Sequence, residues 1–301
     1  MSQNEIQSVE KFIEKALYDK KIGYYSHCNP FGKKGDFITA PLISPLFSEV
    51  ITVWVISFWI KLGKPNKFSF VELGPGNGAF CKTFCRTLEN FPKFKKSVKI
   101  YLLEKSPKLI KIQKNLIKNK NVVWIKSLNE IKSGPVLFFG NEFFDSVPIK
   151  QFEVKKTKIY EKFLKFEKGK FKNFIFKKSP KSIIRKLNDL DLIRKKGVIE
   201  YPQKGLRILD LIIKKIHKFK GGILLVDYGY TNAEGKDTLQ SLKSHKKNIY
   251  YDNIGKADIT YLVNFQLLNK FLFKRKLFLN KIVNQSFFLK KLGIIERADI
   301  L

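Results

Sequence analysis

Apolar positions in this chain fall into short continuous runs separated by amphipathic stretches, the pattern of buried strands alternating with helices. Residues 68–73, Phe-Ser-Phe-Val-Glu-Leu, read as a buried strand that runs straight into Gly74-Pro-Gly-Asn-Gly78. Residues 79–91 then take a helical period, with Phe80, Phe84, Leu88 and Phe91 on one stripe. A second strand at 98–103 ends in Glu104, and a helix at 107–118 follows with Pro107 in its first turn. Residues 121–125 form a third strand, and residues 136–139 a fourth, which leads into Gly140-Asn-Glu-Phe-Phe-Asp-Ser-Val-Pro148. This alternation predicts an α/β fold with a parallel, doubly wound sheet and ligands at the carboxyl ends of its strands.

The flanks differ in period. Residues 6–17 place Ile6, Val9, Ile13, Ala16 and Leu17 on one helical face, and a second helix is expected from about 46 to 62. Between them lies a loop rich in glycine and proline, residues 31–44, which serves either as a plain connection or as a lid. Residues 151–178 alternate in three runs around a Lys168-Gly-Lys170 turn, which predicts an antiparallel β insertion. A helix with Leu209, Ile212, Ile213 and Ile216 inward returns the chain to a fifth core strand in 221–229. The expected organisation is an N-terminal helical extension and lid loop at 1–62, a ligand-binding core at 63–150, an inserted subdomain at 151–205, and the remainder of the core at 206–301.

Composition changes this picture at one point. The 301 residues carry 59 basic against 26 acidic side chains, a formal charge of +33. Such an excess suggests a polyanion surface for nucleic acid or an anionic membrane. Only six of the 59 are Arg, however, and the 53 Lys are scattered through every segment. Specific polyanion recognition favours Arg forks, so the excess reads better as coding bias, and nucleic acid is a possible but unfavoured partner. Three cysteines, Cys28, Cys81 and Cys85, point to a reducing compartment, and with three dispersed histidines no metal site is expected. The first ten residues show no signal or transit pattern, and the most apolar stretch, 50–60, is too short for a membrane span. A soluble cytoplasmic protein is expected, of unknown oligomeric state.

Strand, glycine turn and helix present free backbone N–H groups to a nucleotide-like ligand. A dinucleotide fold would show Gly-x-Gly-x-x-Gly and a ribose-binding acid about 20 residues on. Here the spacing is Gly74-x-Gly76-x-Gly78, Glu104 lies further along, and Glu72 immediately precedes the turn. A pyrophosphate is repelled by so close a carboxylate, whereas a ligand with an ammonium and a sulfonium exploits it. These features favour S-adenosylmethionine (SAM) over NAD. They nominate Glu72, Gly74, Pro75, Gly76, Gly78 and Glu104 as cofactor-binding, with Glu104 accepting from ribose hydroxyls.

Several stretches together carry a family resemblance: Gly23-Tyr-Tyr25, Gly35-Asp-Phe-Ile-Thr-Ala-Pro41, Val71-Glu-Leu-Gly-Pro-Gly76, Glu104-Lys-Ser-Pro107, Asn141-Glu-Phe-Phe-Asp145, Val226-Asp-Tyr-Gly229 and Asp258-Ile-Thr260. In this order the chain resembles the MidA family of class I SAM-dependent methyltransferases, whose mitochondrial members are complex I assembly proteins that methylate arginine. The resemblance implies a Rossmann-like methyltransferase fold, a protein substrate such as a respiratory complex I subunit, and arginine as the acceptor. The chain departs from the family at Leu42, where Glu is usual, at Asp237 and Asn264, and in ending at Leu301.

An arginine acceptor needs carboxylates to steer its lone-pair density and take its proton. The implied catalytic set is Glu142 as the primary clamp, Asp145 in support and Asn141 bonding substrate or cofactor. Asp227 and Tyr228 are implied substrate contacts, and Phe37 with Thr39 is expected to close over the methionine part. Two rivals remain: a nucleic-acid methyltransferase, suggested by charge but lacking an Asn-Pro-Pro-Tyr-type motif after the fourth strand, and a non-catalytic assembly factor that keeps the fold.

Overall fold

The computed structural model describes residues 4–27, 39–156, 158–194, 196–232, 235–243 and 245–300. The chain divides into two compact units, each drawn from three stretches. Residues 1–28, 144–210 and 228–279 build one, and residues 29–143, 211–227 and 280–301 the other. The segments 1–62 and 206–301 therefore each contribute to both units.

The unit containing residues 29–143 holds the parallel sheet. Its strands are β1 (Phe68–Leu73), β2 (Val98–Leu103), β3 (Val122–Ile125), β4 (Val136–Asn141) and β5 (Gly221–Val226). They lie in the order β5-β4-β1-β2-β3, and every neighbouring pair is parallel. β1 is central and buried along its whole length, which accounts for its continuous apolar reading. The chain moves outward through β2 and β3 on one side, then crosses to β4 and β5 on the other. The order therefore reverses beside β1, opening a crevice at the carboxyl ends of β1 and β4.

Helices α1 (Pro45–Lys61), α2 (Ala79–Thr87) and α3 (Pro107–Leu116) belong to the same unit. Ser44 caps α1 by accepting from the Leu46 N–H at 3.2 Å, with Pro45 at the first helical position. The stripe on α2 packs ring on ring: Phe70 of β1 stacks on Phe84 at 4.4 Å between centroids, and Phe80 meets Phe139 of β4 at 4.4 Å. α2 ends at Thr87, where the chain tightens into a 3-10 turn at Leu88–Asn90. The helix therefore stops short of the expected residue 91, while Phe91 is half-buried against the same core as Phe80, Phe84 and Leu88. α3 likewise ends at Leu116 rather than 118.

The other unit carries the expected antiparallel insertion. Strands Lys150–Lys155, Lys158–Glu167 and Lys170–Lys178 pair in succession, with Lys168 and Gly169 in the left-handed region at the second turn. Two further strands complete this sheet: Asn4–Ser8 against Lys158–Glu167, and Gly197–Tyr201 against Lys150–Lys155. The first corrects the helix expected over 6–17. Residues 4–8 take ladder hydrogen bonds instead, Ser8 accepts from the Lys11 N–H at 3.3 Å, and the helix spans Val9–Tyr18. Ile6 is exposed on the strand while Val9, Ile13, Ala16 and Leu17 stay buried. Some of the lysine excess has a local use here, since Lys155, Lys162 and Lys177 lie over the rings of Phe176, Phe174 and Phe163. Among the described residues no helix is long and apolar enough to cross a membrane.

The ring stack under α2 yields a stability prediction. Phe84→Ala should cost about 3–5 kcal/mol and Phe91→Ala clearly less, because only the first leaves a closed cavity. Urea unfolding of the two variants measures the difference; equal losses would contradict the packing described.

Candidate active site

Strand register alone builds the edge of the site. Leu73 is paired with Leu103 on one side and with Gly140 on the other, and Asn141 is paired with Val226. The residues that follow, Glu104, Gly74, Glu142 and Asp227, therefore emerge in a row along the carboxyl edge of the sheet. Four segments far apart in sequence are aligned there by parallel pairing.

The glycine turn departs from β1 with Gly74, Gly76 and Gly78 all in the left-handed region, at φ of 61°, 56° and 89°. A side chain at these positions would be strained whatever the space. At Gly74 an added Cβ would also come within 2.9 Å of the Phe143 ring, and at Gly78 within 3.2 Å of Gln113 Cγ. Pro75 is buried and its carbonyl accepts from the Gly78 N–H at 2.8 Å, which closes the turn. Gly78 caps α2 without a side chain, leaving the first N–H groups of the helix near the ligand crevice.

Glu104 is buried and anchored. One carboxylate oxygen accepts from the Lys105 and Ser106 N–H groups at 2.7 and 2.8 Å, the other from Gln113 Nε2 at 3.2 Å. Burial nevertheless raises its pKa above the ordinary carboxylate value, opposed by these same bonds. Gln113 is a residue that the sequence reading missed. It is fully buried on α3, donates to the Gly76 carbonyl at 2.7 Å as well as to Glu104, and accepts from Trp124 Nε1 at 2.9 Å. One amide thus ties the glycine turn, Glu104 and β3 together. Its signal in the sequence is a polar residue at the core-facing position four after buried Leu109.

Glu72 lies beneath the turn, 4 % exposed, and its Oε2 finds no hydrogen-bond partner. Burial first, then Cys85 and Glu104, raises its pKa from 4.5 to about 8. A lone buried carboxyl with that affinity for a proton is suited to a cationic neighbour.

At the end of β4, Asn141 Nδ2 donates to Glu142 Oε1 at 3.3 Å, while Asn141 Oδ1 is buried without a partner. Glu142 adopts φ 50°, its N–H donates to the Val226 carbonyl at 2.8 Å, and its carboxylate accepts from the backbone N–H of Ala40. Burial raises the pKa of Glu142, and the bonds from Asn141 and Ala40 oppose the rise. Ala40 opens the short helix Ala40–Ile43, and Thr39 precedes it in extended conformation with its carbonyl accepting from Leu42. Glu142 thus fastens the described end of the 31–44 loop, read from the sequence as either a plain connection or a lid. Phe37, paired with Thr39 in the sequence reading, lies outside the described residues.

Asp145 and Tyr228 belong to the unit that holds the antiparallel sheet, and Asn141, Glu142 and Asp227 to the other. Asp145 is buried, and its carbonyl accepts from the Tyr261 N–H at 3.1 Å. Tyr228 is 63 % exposed, and its carbonyl accepts from the Val263 N–H. In the same unit Tyr25 donates to Asp258 Oδ1 at 3.2 Å, and its ring stacks on Tyr18, whose hydroxyl donates to the Ser146 carbonyl at 3.0 Å. Burial and the nearby Asp258 push the Tyr25 hydroxyl well above its ordinary pKa. The Gly23-Tyr-Tyr and Asp258-Ile-Thr stretches therefore meet in space.

These features fit SAM. Left-handed glycines let backbone approach the ligand, anchored Glu104 keeps lone pairs for ribose hydroxyls, and the unpartnered oxygen of Glu72 suits a positive group. Two outcomes follow. Gln113→Leu should weaken SAM binding about ten- to a hundredfold by calorimetry, because the turn and Glu104 lose their shared tie. Glu72 holds its proton more tightly folded than unfolded, so its stabilisation is complete below pH 4.5 and lost as pH rises through about 8. The thermal midpoint should therefore fall across that window less steeply in Glu72→Gln than in the parent; an unchanged slope would contradict a proton held on Glu72.

Comparison with known proteins agrees with this geometry. A family model described as an S-adenosyl-L-methionine-dependent methyltransferase matches residues 50–281. Among curated relatives, the mitochondrial protein arginine methyltransferase NDUFAF7 homolog of Caenorhabditis elegans is 32 % identical over 96 % of this chain and 74 % of its own length. The mitochondrial protein arginine methyltransferase NDUFAF7 of Xenopus tropicalis is 27 % identical over 98 % of this chain and 74 % of its own. A crystal structure from Burkholderia thailandensis, a COG1565 superfamily member and likely methyl transferase bound to S-adenosyl-homocysteine, superposes with a TM-score of 0.79 at 20 % identity. It covers 98 % of this chain and 79 % of that one. The relatives named as mitochondrial overturn the expectation of a cytoplasmic protein, which rested on few cysteines and a plain N-terminus; a reducing milieu does not single out the cytoplasm. With the glycine turn, the anchored Glu104 and the family match over 50–281 in agreement, the chain belongs to the S-adenosyl-L-methionine-dependent methyltransferase family.

Proposed function

We propose that the chain methylates a guanidinium nitrogen of arginine in a protein substrate. The observation that carries this reading is the Asn141–Glu142 pair, a restrained carboxylate at the sheet edge beside the glycine turn. The arginine methyltransferase names of the relatives support the same acceptor.

When bound, SAM supplies a methyl group already activated on a sulfonium. The demands on the protein are alignment and proton handling. A guanidinium stays charged at neutral pH, with a pKa above about 12, and its lone-pair density is delocalised. A carboxylate bonded to two of its nitrogens concentrates density on the third. Glu142 is suited to this because its backbone, Asn141 Nδ2 and the Ala40 N–H limit where its oxygens point. Burial makes it a better proton acceptor than an ordinary glutamate, which helps when the nitrogen sheds its proton. Asp227, one residue beyond the paired end of β5, offers a second acidic contact for the same cation.

The test is incorporation of label from SAM into proteins of a lysate, with mass spectrometry of the marked residue. Methylarginine is expected. Glu142→Gln should lower kcat about a hundredfold or more while leaving the Kd for SAM within about twofold. Label on nucleic acid, or full turnover in Glu142→Gln, would refute this reading.

A further inference from the structure

We propose that the turn following the helix Phe265–Phe273 is a docking tip for an anionic bilayer surface. Its first mark is exposure: Phe278 is 91 % and Phe273 75 % exposed, and no other large hydrophobic among the described residues is as exposed as Phe278. Two phenyl rings in water within six residues is an unfavourable arrangement for a surface with no use for it.

The turn that carries Phe273 is built by hydrogen bonds as far as Leu277. The helix ends in a hydrogen-bonded cap in which Arg275 and Lys276 donate to the Leu272 and Phe273 carbonyls at 2.9 Å, with Lys276 left-handed at φ 58°. Inside the turn, the Arg275 guanidinium lies 3.4 Å from the Phe271 ring centroid and donates to Asp210 at 2.8 Å. Lys274 donates to the Asp189 carbonyl. Phe271 and Leu272 are buried, so the base of the turn is packed while its two phenylalanines are left outward.

Charge selects the occupant. Residues 259–295 contain no Asp or Glu, and Lys274 and Lys276 are exposed between the two phenylalanines. Aromatic side chains interleaved with lysines suit a headgroup boundary: rings enter the acyl edge while ammonium groups stay among anionic headgroups. A protein partner would ask for a broad complementary face, whereas a membrane needs only a projecting tip. The formal charge of +33 adds long-range attraction to the same surface. Contact at the interface is the mode that fits, since no described helix is long enough to span.

Vesicle flotation of the full chain at about 0.15 M salt tests the proposal, using phosphatidylcholine alone and phosphatidylcholine with roughly a third phosphatidylglycerol. The parent should float with the anionic vesicles only. Phe273→Ser with Phe278→Ser, which leaves the charge unchanged, should weaken that partition about tenfold or more. Undiminished flotation of the double variant would assign binding to scattered lysines and overturn the tip, as would failure of the parent to float. Independently of the double variant's folding, Phe278→Trp should add a blue-shifted emission component on vesicle addition, quenched by brominated lipid; no shift refutes insertion. Sedimentation completes the test: self-association that the serine variant abolishes would make the tip a contact between copies and overturn the membrane assignment.

Discussion

The packing of α2 on the sheet is the constraint from which the site follows. Phe84 stacked on Phe70, and Phe80 against Phe139, fix the helix over β1 and β4. With both ends of the turn thus held, residues 74–78 must reverse within a few residues, and three left-handed glycines are what that reversal requires. A looser helix would permit other turns and would not demand glycine at each position. Hydrophobic packing here does more than stabilise; it sets where the N–H groups of the turn and of the first helical residues lie.

Electrostatics at the site run against the charge of the chain. The formal +33 comes from lysines spread across the sequence, some of them over aromatic rings, whereas Glu72, Glu104 and Glu142 are drawn inward around the carboxyl edge of the sheet. Burial raises all three pKa values, and Glu104 further raises that of Glu72. Carboxyls so placed favour their protonated form alone and ionise more readily beside a cation. A sulfonium, an ammonium and a guanidinium meet this condition, and a polyphosphate does not. Net charge is therefore a poor guide to the ligand of this site.

Much of the fold was legible because parallel strands buried on both faces leave continuous apolar runs, and all five were placed within a few residues. The N-terminal strand was not. Gln7 and Ser8 carry no strand signal of their own, and residues 4–8 extend because Lys158–Glu167, more than 150 residues away, offers them a ladder. The placement of Glu72, residues 74–78 and Glu104 along one strand, turn and neighbouring strand end was readable from glycine spacing and the apolar runs. Gln113 was not, since its role depends on three groups assembled by the fold, the Gly76 carbonyl, Glu104 and Trp124. The grouping of Asp145 and Tyr228 in the second unit was equally hidden, because sequence adjacency to Glu142 and Asp227 says nothing about which core each residue joins.

Leu42 sharpens what is asked of Glu142. The resembling family usually carries a glutamate at this position, in the segment that Glu142 holds through the Ala40 N–H. Here that helix, Ala40–Ile43, has no acidic residue of its own. An acidic side chain from this helix is therefore absent, and on the proposed mechanism a cation at the β4 edge would meet Glu142 and Asp227. Glu142 cannot serve that cation with the lone pair it gives to Ala40, so its free acceptor capacity is smaller than a solvated carboxylate's. On the proposed mechanism, the acceptor and the Ala40 N–H would draw on one carboxylate. The segment's link to acceptor binding would then run through its backbone, where the usual residue at position 42 would act through its side chain.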